Sequence, residues 1–367
     1  MSLILKDIYV EGYEKIVEVI DSSCGLHAFV GIHDTTLGPA LGGIRFYPYD
    51  NPAQALTDVK RLSRGMTHKA AVAEVGLGGG KCVVIADPEK KTIKMLDSLC
   101  KTFNLLDGAY ISAADYGCKP EDIQYIKNKT KYVVGGIYEK GSGDPSIMTA
   151  WGVIVGMKAS AKFLFGSDSL ENKTVAIQGL GSVGMKIAEH LFWLGAKLIV
   201  ADISVEKAEE AKARFGAAIV PIDQVLTVKA DFVCPCALGG ILNERSISQL
   251  NCEAIVGCAN NQLLLESDAL LLKQRNILYA PDFVVNAGGL INVSFEIDRD
   301  GYNPRSAKLK TDKIFKTLLE IYESAESLGL TTHQAAHAII EYRLKNTIGK
   351  RTQSLFLVDP INELLEV

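Results

Sequence analysis

From about residue 170 to about residue 290 the chain alternates short apolar runs with longer amphipathic ones. Residues 175–178, 197–201, 232–234, 254–256 and 277–279 have the length and apolar character of buried strands. Strands alternating with helices predict a parallel sheet wrapped by helices. Residues 1 to about 145 instead mix β-rich runs (27–32 and 81–86) with helical stretches such as 53–64. That helix opens after Asn51-Pro52, a cap and first-turn pair. Residues 140–145 have the composition of a linker. A helical pattern runs from Thr149 to about Phe165 and is closed by Gly166-Ser-Asp-Ser169. Helical character returns from about residue 305 and is strongest over 308–326, while the tail after Lys345 has no assignable pattern. The pattern shows no internal repeat and no low-complexity tract.

Length and composition narrow the class. A chain of 367 residues predicts about two domains. Hydrophobic residues at 48% and charged ones at 22% are ordinary for a globular protein. A net charge of −4 provides no basic field for nucleic acid. The eight cysteines include no CxxC pair, and Cys234-Pro235-Cys236 has no partner pair at zinc-site spacing, so free thiols in a reducing compartment are expected. The opening apolar stretch is broken by Lys6 and Asp7, which does not fit a signal peptide. No uninterrupted apolar run reaches membrane-spanning length. A soluble, cytoplasmic protein is the expectation.

Two motifs carry chemistry. Gly179-Leu180-Gly181-Ser182-Val183-Gly184 follows an expected strand and opens an expected helix. The first glycine permits a tight turn, the second lets a pyrophosphate approach the backbone, and the third permits close helix–strand packing. The next strand ends in Asp202, 18 residues after Gly184, close to the place of a ribose-binding acid. A carboxylate there accepts from a ribose 2′-hydroxyl and repels a 2′-phosphate, which predicts NAD rather than NADP. The other glycine cluster, Gly76 to Lys81, is one residue short of a P-loop and has Cys82 in the hydroxyl position, so the P-loop reading fails.

The second motif sets Lys69 and Lys81 about a dozen residues apart, Lys81 straight after three glycines, with Asp115 downstream in a loop closed by Gly117. Two cations and a carboxylate suit a site that holds a carboxylate and moves protons at the neighbouring carbon. Like-charge repulsion from Lys69 and desolvation would favour a neutral Lys81. The bland alternatives are solvated surface lysines and a turn-capping aspartate.

The strings GPALGGIRFYPY, RGMTHKAA, GLGGGKCVVI, AADYG, CPCALGGILN, ANNQL and APDFVVNAGGLINV resemble the Glu/Leu/Phe/Val dehydrogenases, most closely the leucine dehydrogenase branch. The likeness runs from about residue 12 to about residue 345. It implies reversible oxidative deamination of an L-amino acid to a 2-keto acid, ammonium and NADH. By resemblance, Lys69 binds the substrate carboxylate, Lys81 is catalytic, and Asp115 accepts and donates protons. Gly42, Gly43 and Met66 belong to the same pocket wall, while Thr149, Ala237 and Asn261 belong to the cofactor side. The resemblance also implies a homo-oligomer, often an octamer.

These readings together predict an α/β protein of two domains separated by a cleft. Residues 1–145, with 331–367 returning to them, form a substrate-binding and oligomerisation domain; residues 146–330 form a Rossmann NAD-binding domain. Relatives acting on glutamate carry a lysine and a serine where this chain has Leu41 and Val293. Burying an unpaired side-chain carboxylate would be costly, so an apolar substrate is expected. Ala113 and Val293 suit leucine, valine or isoleucine, Leu290 stands where leucine enzymes carry valine, and an aromatic substrate remains an alternative. Other departures from the pattern are His68, Gly184, Tyr116 and Cys118. A catalytically silent NAD-binding protein would be expected to lack Lys81 or Asp115. A hydroxy-acid dehydrogenase would not need the Lys69/Lys81/Asp115 set. His333 and His337 stand four apart with no third ligand evident, so no metal is expected.

Overall fold

A computed structural model describes residues 2–137 and 141–357. Strands β1 (Leu3–Ile8), β2 (Lys15–Asp21), β3 (Leu26–Asp34), β4 (Ala40–Tyr47), β5 (Gly78–Ile85) and β6 (Tyr110–Ala114) form one mixed sheet. Its order is β1-β2-β3-β5-β4-β6: β1, β2, β3 and β5 pair antiparallel, while β5, β4 and β6 pair parallel. Helices α1 (Pro52–Ala73), α2 (Ile93–Leu105) and α3 (Pro120–Lys127) pack on it. Helix α1 is capped by Asn51, whose side chain accepts from the Gln54 amide. It runs past the expected end at residue 64, because Gly65 faces open space and the buried stripe Val59, Ser63, Thr67, Ala70, all small or β-branched side chains, continues against the sheet.

The triple glycine lies in the middle of this sheet. A Cβ on Gly79 would come 2.2 Å from the Thr67 backbone nitrogen, and one on Gly80 would come 2.7 Å from the Tyr110 ring. The glycines let α1 and Tyr110 press on β5 from its two sides. Their first duty is close packing.

From residue 145 the pattern is α4 (Pro145–Phe165), β7 (Thr174–Gln178), α5 (Gly184–Trp193), β8 (Lys197–Ala201), α6 (Val205–Phe215), β9 (Ala218–Ile219), β10 (Ala230–Pro235), α7 (Glu244–Gln249), β11 (Cys252–Ile255), α8 (Asp268–Gln274) and β12 (Leu278–Tyr279). The sheet order is β12-β11-β10-β7-β8-β9, all parallel. This is the doubly wound nucleotide-binding order, with its reversal between β7 and β10. The five expected strands are present within one or two residues; β9, only two residues long, carries too little pattern to be read. Of the expected linker, Lys140 lies outside the described residues, 141–144 has no regular structure, and Pro145 opens α4. Helix α4 is long and apolar enough to span a membrane by length and composition, although Lys158 and Lys162 interrupt its apolar run. It serves here as a core helix: Gly152 and Gly156 sit against Val285, with Ile314 and Leu318 beside them.

The remaining helices are α9 (Asp282–Val285), α10 (Gly288–Ser294), α11 (Pro304–Asp312), α12 (Ile314–Leu328) and α13 (Thr332–Lys345). The helix expected over 308–326 is therefore two, broken at Lys313 after Asp312, whose carboxylate accepts from Trp151 Nε1 at 2.6 Å.

The chain divides into two compact units, Met1–Asp144 with Val293–Pro304 and Tyr342–Val367, and Pro145–Asn292 with Arg305–Glu341. The return to the first unit thus comes in two pieces, not as the single segment from 331. Glu296 explains the first piece: its carboxylate accepts from the amides of Gly135 at 3.0 Å and Ser142 at 2.7 Å. Arg343 anchors the second, donating to the Val72 carbonyl at 2.6 Å and pairing with Glu74 at 2.9 Å, a cation at the C-terminus of α1. Thr332, by contrast, donates to the Tyr279 carbonyl at 2.6 Å and keeps the start of α13 in the second unit. The Arg351 amide donates to Leu37 and the Phe356 amide to Ile297, which places the otherwise unreadable tail up to 357.

Candidate functional site

Strand alternation assembles the first site. In β4, Leu41, Gly43 and Arg45 share a face. Register places Leu41 beside Gly79 and Ile111, Gly43 beside Ala113, and Arg45 beside Val83. Lys81, between Gly79 and Val83, faces the same way, as do Ala113 and, one step past β6, Asp115. This is the face covered by α1. On α1, Asp58, Leu62, Met66 and Lys69 recur at four, four and three residues and so lie on one flank. Asp58 and Lys69 are separated along the helix axis by about 16 Å, so α1 lines the face over its length.

At the centre, Lys81 Nζ lies 2.5 Å from Asp115 Oδ2, and Lys81 is 6% exposed. Arg45 Nε donates to the same oxygen at 3.1 Å, while its Nη1 pairs with Asp58 at 3.2 Å. Tyr49 donates to Asp58 at 2.5 Å, and burial followed by that bond raises its hydroxyl's pKa, keeping it a donor. Two cations and two carboxylates thus alternate, closed by a phenol. Burial alone would raise the Asp115 carboxyl, but Lys81 and Arg45 outweigh it and hold it down to about 2. The sequence anticipated a like charge acting on Lys81; the ion pair that Lys81 makes in the structure is with a carboxylate.

Asp115 opens a tight turn. Its carbonyl accepts from the Cys118 amide at 2.9 Å, and Gly117, at φ +76°, occupies the third position that a type II turn reserves for glycine. The carboxylate accepts from the Tyr116 amide within the turn and also pairs with Lys81, so it does more than cap the turn. A Cβ on Gly43 would come 2.6 Å from Asp115 Cβ, so that glycine leaves room for the aspartate. Gly42 is on the other face, where its carbonyl accepts from the buried Tyr110 hydroxyl at 2.5 Å. Leu41, Ala113, Leu290 and Val293 are all buried. Met66 and Lys69 are half-buried, and Tyr116 is exposed. Burial pushes the Cys118 thiol up to about 12, which argues against a reactive cysteine.

The second site sits where the parallel sheet reverses. Gly179 follows β7 at φ +96°, and a Cβ there would come 2.9 Å from Ala237 Cβ, just after β10. Gly184 packs so closely that a Cβ would lie 2.0 Å from the Gly179 carbonyl oxygen. Gly181 is the opposite case: a Cβ there would meet nothing within 4 Å. The open ground lies before the second glycine, at the head of α5, where a pyrophosphate would need it. The residues therefore fit a dinucleotide. Asp202 accepts from the Leu180 amide at 2.6 Å and the Ser204 amide at 2.7 Å, while Ser204 itself caps α6. The aspartate thus also braces the glycine turn, a duty that spacing could not reveal. Ser182 and Val183 complete that turn.

Asn261 adopts a left-handed φ of +53°; its amide donates to Asp282 at 2.5 Å and its carbonyl accepts from Gly240 at 2.7 Å. Thr149 donates to the Pro145 carbonyl at 2.9 Å and packs against Gly289. Sequence reasoning missed Arg45, Asp58, Tyr49 and Asp282. The signal for Arg45 was available, since it is the single charge in the strand ALGGIRFY. Asp58 looked like any helix-surface acid. The fold also brings Glu266 to His333 and His337, correcting the reading that no third ligand exists.

Residues 14–132 match the family model described as Glu/Leu/Phe/Val dehydrogenase, dimerisation domain. Residues 141–204 and 200–348 match the model described as Glutamate/Leucine/Phenylalanine/Valine dehydrogenase. The chain is 45% identical to a leucine dehydrogenase of Thermoactinomyces intermedius, covering 95% of each chain. It is 44% identical to a phenylalanine dehydrogenase of Lysinibacillus sphaericus, over 95% of this chain and 92% of the other. Among solved structures, the L-tryptophan dehydrogenase of Nostoc punctiforme superposes with a TM-score of 0.80 at 41% identity, covering 92% of this chain and 97% of that one.

Proposed function

The chain belongs to the Glu/Leu/Phe/Val dehydrogenase family and is an NAD(P)-dependent amino-acid dehydrogenase, and from that premise we propose that it oxidatively deaminates an apolar L-amino acid. The products are the 2-keto acid and ammonium, with NAD as the acceptor. The observation that carries this reading is the ion pair of buried Lys81 with Asp115, braced by Arg45, on a face that also carries the buried apolar Leu41 and Ala113. Lys69 binds the substrate carboxylate. Asp115, ionised at working pH, accepts a proton from the substrate amine. Lys81, once it has released its own proton to solvent, takes one from the water that attacks the imine; protonated Asp115 returns its proton to the departing amine. Arg45 positions Asp115 through their ion pair. A bound NAD supplies hydride acceptance. The fit of Gly181 and its neighbours supports the dinucleotide, and the Asp202 carboxylate favours NAD over NADP. Thr149, Ala237 and Asn261 complete the cofactor side.

Leu41 and Val293, at 2% and 6% exposure, offer nothing to pair with a side-chain carboxylate, which disfavours glutamate. Leucine, valine and isoleucine are the favoured substrates. Phenylalanine or tryptophan is the second reading, supported by near-equal identity to a leucine and a phenylalanine dehydrogenase. We also place the protein in the cytoplasm as a homo-oligomer, following the free thiols and the matched dimerisation domain.

A panel of L-leucine, L-isoleucine, L-valine, L-phenylalanine, L-tryptophan and L-glutamate, with NADH formation as readout and ammonium dependence in reverse, tests the proposal. Turnover of an aliphatic substrate with glutamate at background is the expected result. Preferred turnover of glutamate would overturn the pocket argument, and no turnover of any amino acid would overturn the enzyme. The cofactor assignment makes a separate prediction. Because nothing of the protein lies near a Cβ on Gly181, Gly181→Val should leave the fold and melting temperature intact. It should weaken NADH binding by about tenfold or more, read by NADH fluorescence. Unchanged binding would remove the pyrophosphate from this turn.

A further inference from the structure

Away from both sites, Glu266, His333 and His337 bring their ligand atoms within 4.8 Å of one another in the second unit. The histidines are one turn apart on α13, with ring centroids 4.5 Å apart. Glu266 is exposed, in the turn before α8. Phe283, in α9, lies against both imidazoles, with centroids at 5.8 Å and 5.4 Å. Both ring nitrogens of His333 are buried, and neither has a hydrogen-bond partner. Folded proteins rarely leave such atoms unmatched, and an explanation is owed where they do.

We propose that Glu266, His333 and His337 bind one divalent transition-metal ion of the zinc type. Two imidazoles and one carboxylate form a borderline nitrogen–oxygen donor set, suited to zinc, cobalt or nickel, whereas magnesium and calcium prefer oxygen ligands throughout. Histidines at i and i+4 present both rings to one point on a helix face. Because Glu266 is at the surface, water has access to complete the coordination. The ion ties the start of α13 to the turn before α8 across Phe283. Phe283 follows Asp282, which holds the Asn261 amide, so the tie acts on the segment that braces that loop. This binding does not depend on the dehydrogenase assignment, and its test reads the metal directly.

The full-length protein, stripped with a chelator, is titrated with Co2+ by calorimetry and visible absorption. One ion per chain is expected, without a thiolate-to-cobalt charge-transfer band. That band is the necessary control, because Cys234 and Cys236 have sulfurs 3.4 Å apart and Cys258 is beside them. Excess Zn2+ should raise the melting temperature by about 3 °C or more, and Mg2+ should not. Glu266→Gln, a surface change that the fold tolerates, should weaken binding by about tenfold or more. The pair His333→Gln with His337→Gln should abolish it. No bound ion, a charge-transfer band, or full affinity in Glu266→Gln would each overturn the proposal, whether or not the double variant folds.

Discussion

Lys81→Ala is expected to lower turnover of every amino-acid substrate by about 10³-fold or more while NADH binds with unchanged affinity. The first half follows from where the ammonium sits. It is nearly fully buried, and its partner is a carboxylate held by a second cation. A positioned acid–base group contributes roughly 10²–10⁴ in rate, and this one is also part of the charge balance of its pocket. The second half follows from topology: Gly179 to Gly184 and Ala237 belong to a different sheet in the other unit. Stopped-flow turnover together with NADH fluorescence titration separates the two quantities. Loss of both together would mean that Lys81 supports the fold and not the chemistry, as would a large fall in melting temperature. Lys81→Arg discriminates further, because it keeps the charge opposite Asp115 without a readily released proton. It should restore stability and not turnover.

Much of the second unit was legible, because a parallel sheet buried on both faces writes its strands as apolar runs and its nucleotide turn as a fixed glycine spacing. The exceptions have physical causes. Strand β9 is too short to show a period, and the return of 293–304 to the first unit depends on Glu296 finding two amides in sequence-distant loops. The first site was legible as residue types and not as a network. Lys81 and Asp115 were singled out, but their salt bridge comes from register across β5, β4 and β6, which no local pattern encodes. Arg45 and Asp58 belong to separate elements, a strand and the flank of a helix, and only the packing of α1 joins them. The triple glycine is a further case. Its position just before Lys81 pointed to the site, yet its glycines are required by Thr67 and Tyr110. The cluster at Glu266 was invisible for the same reason as Arg45–Asp58, since its third member is 67 residues before the first histidine.

Asp115→Asn should be as damaging as the lysine change, and for a different physical reason. The carboxylate is the single group through which Lys81 and Arg45 are both balanced. Asparagine keeps the shape and one acceptor but leaves the buried Lys81 opposite a neutral amide, its charge uncompensated. Turnover should fall by about 10²–10⁴-fold, since the amide cannot accept the amine's proton. The pH dependence carries the sharper test. The carboxyl is lowered from 3.8 to about 2, so the pair contributes stability above about pH 4 that is lost as pH falls towards 2. The shift is worth about 2 kcal/mol at neutral pH. The wild-type protein should therefore lose this stability on acidification through that window. Asp115→Asn, already without the ionisable group, should show a correspondingly flatter decline between about pH 4 and pH 2. Denaturant melts at a series of pH values measure the difference. Parallel acid slopes in the two proteins would mean that Asp115 is not held ionised by Lys81 and Arg45, and the proton-acceptor role would lose its electrostatic basis.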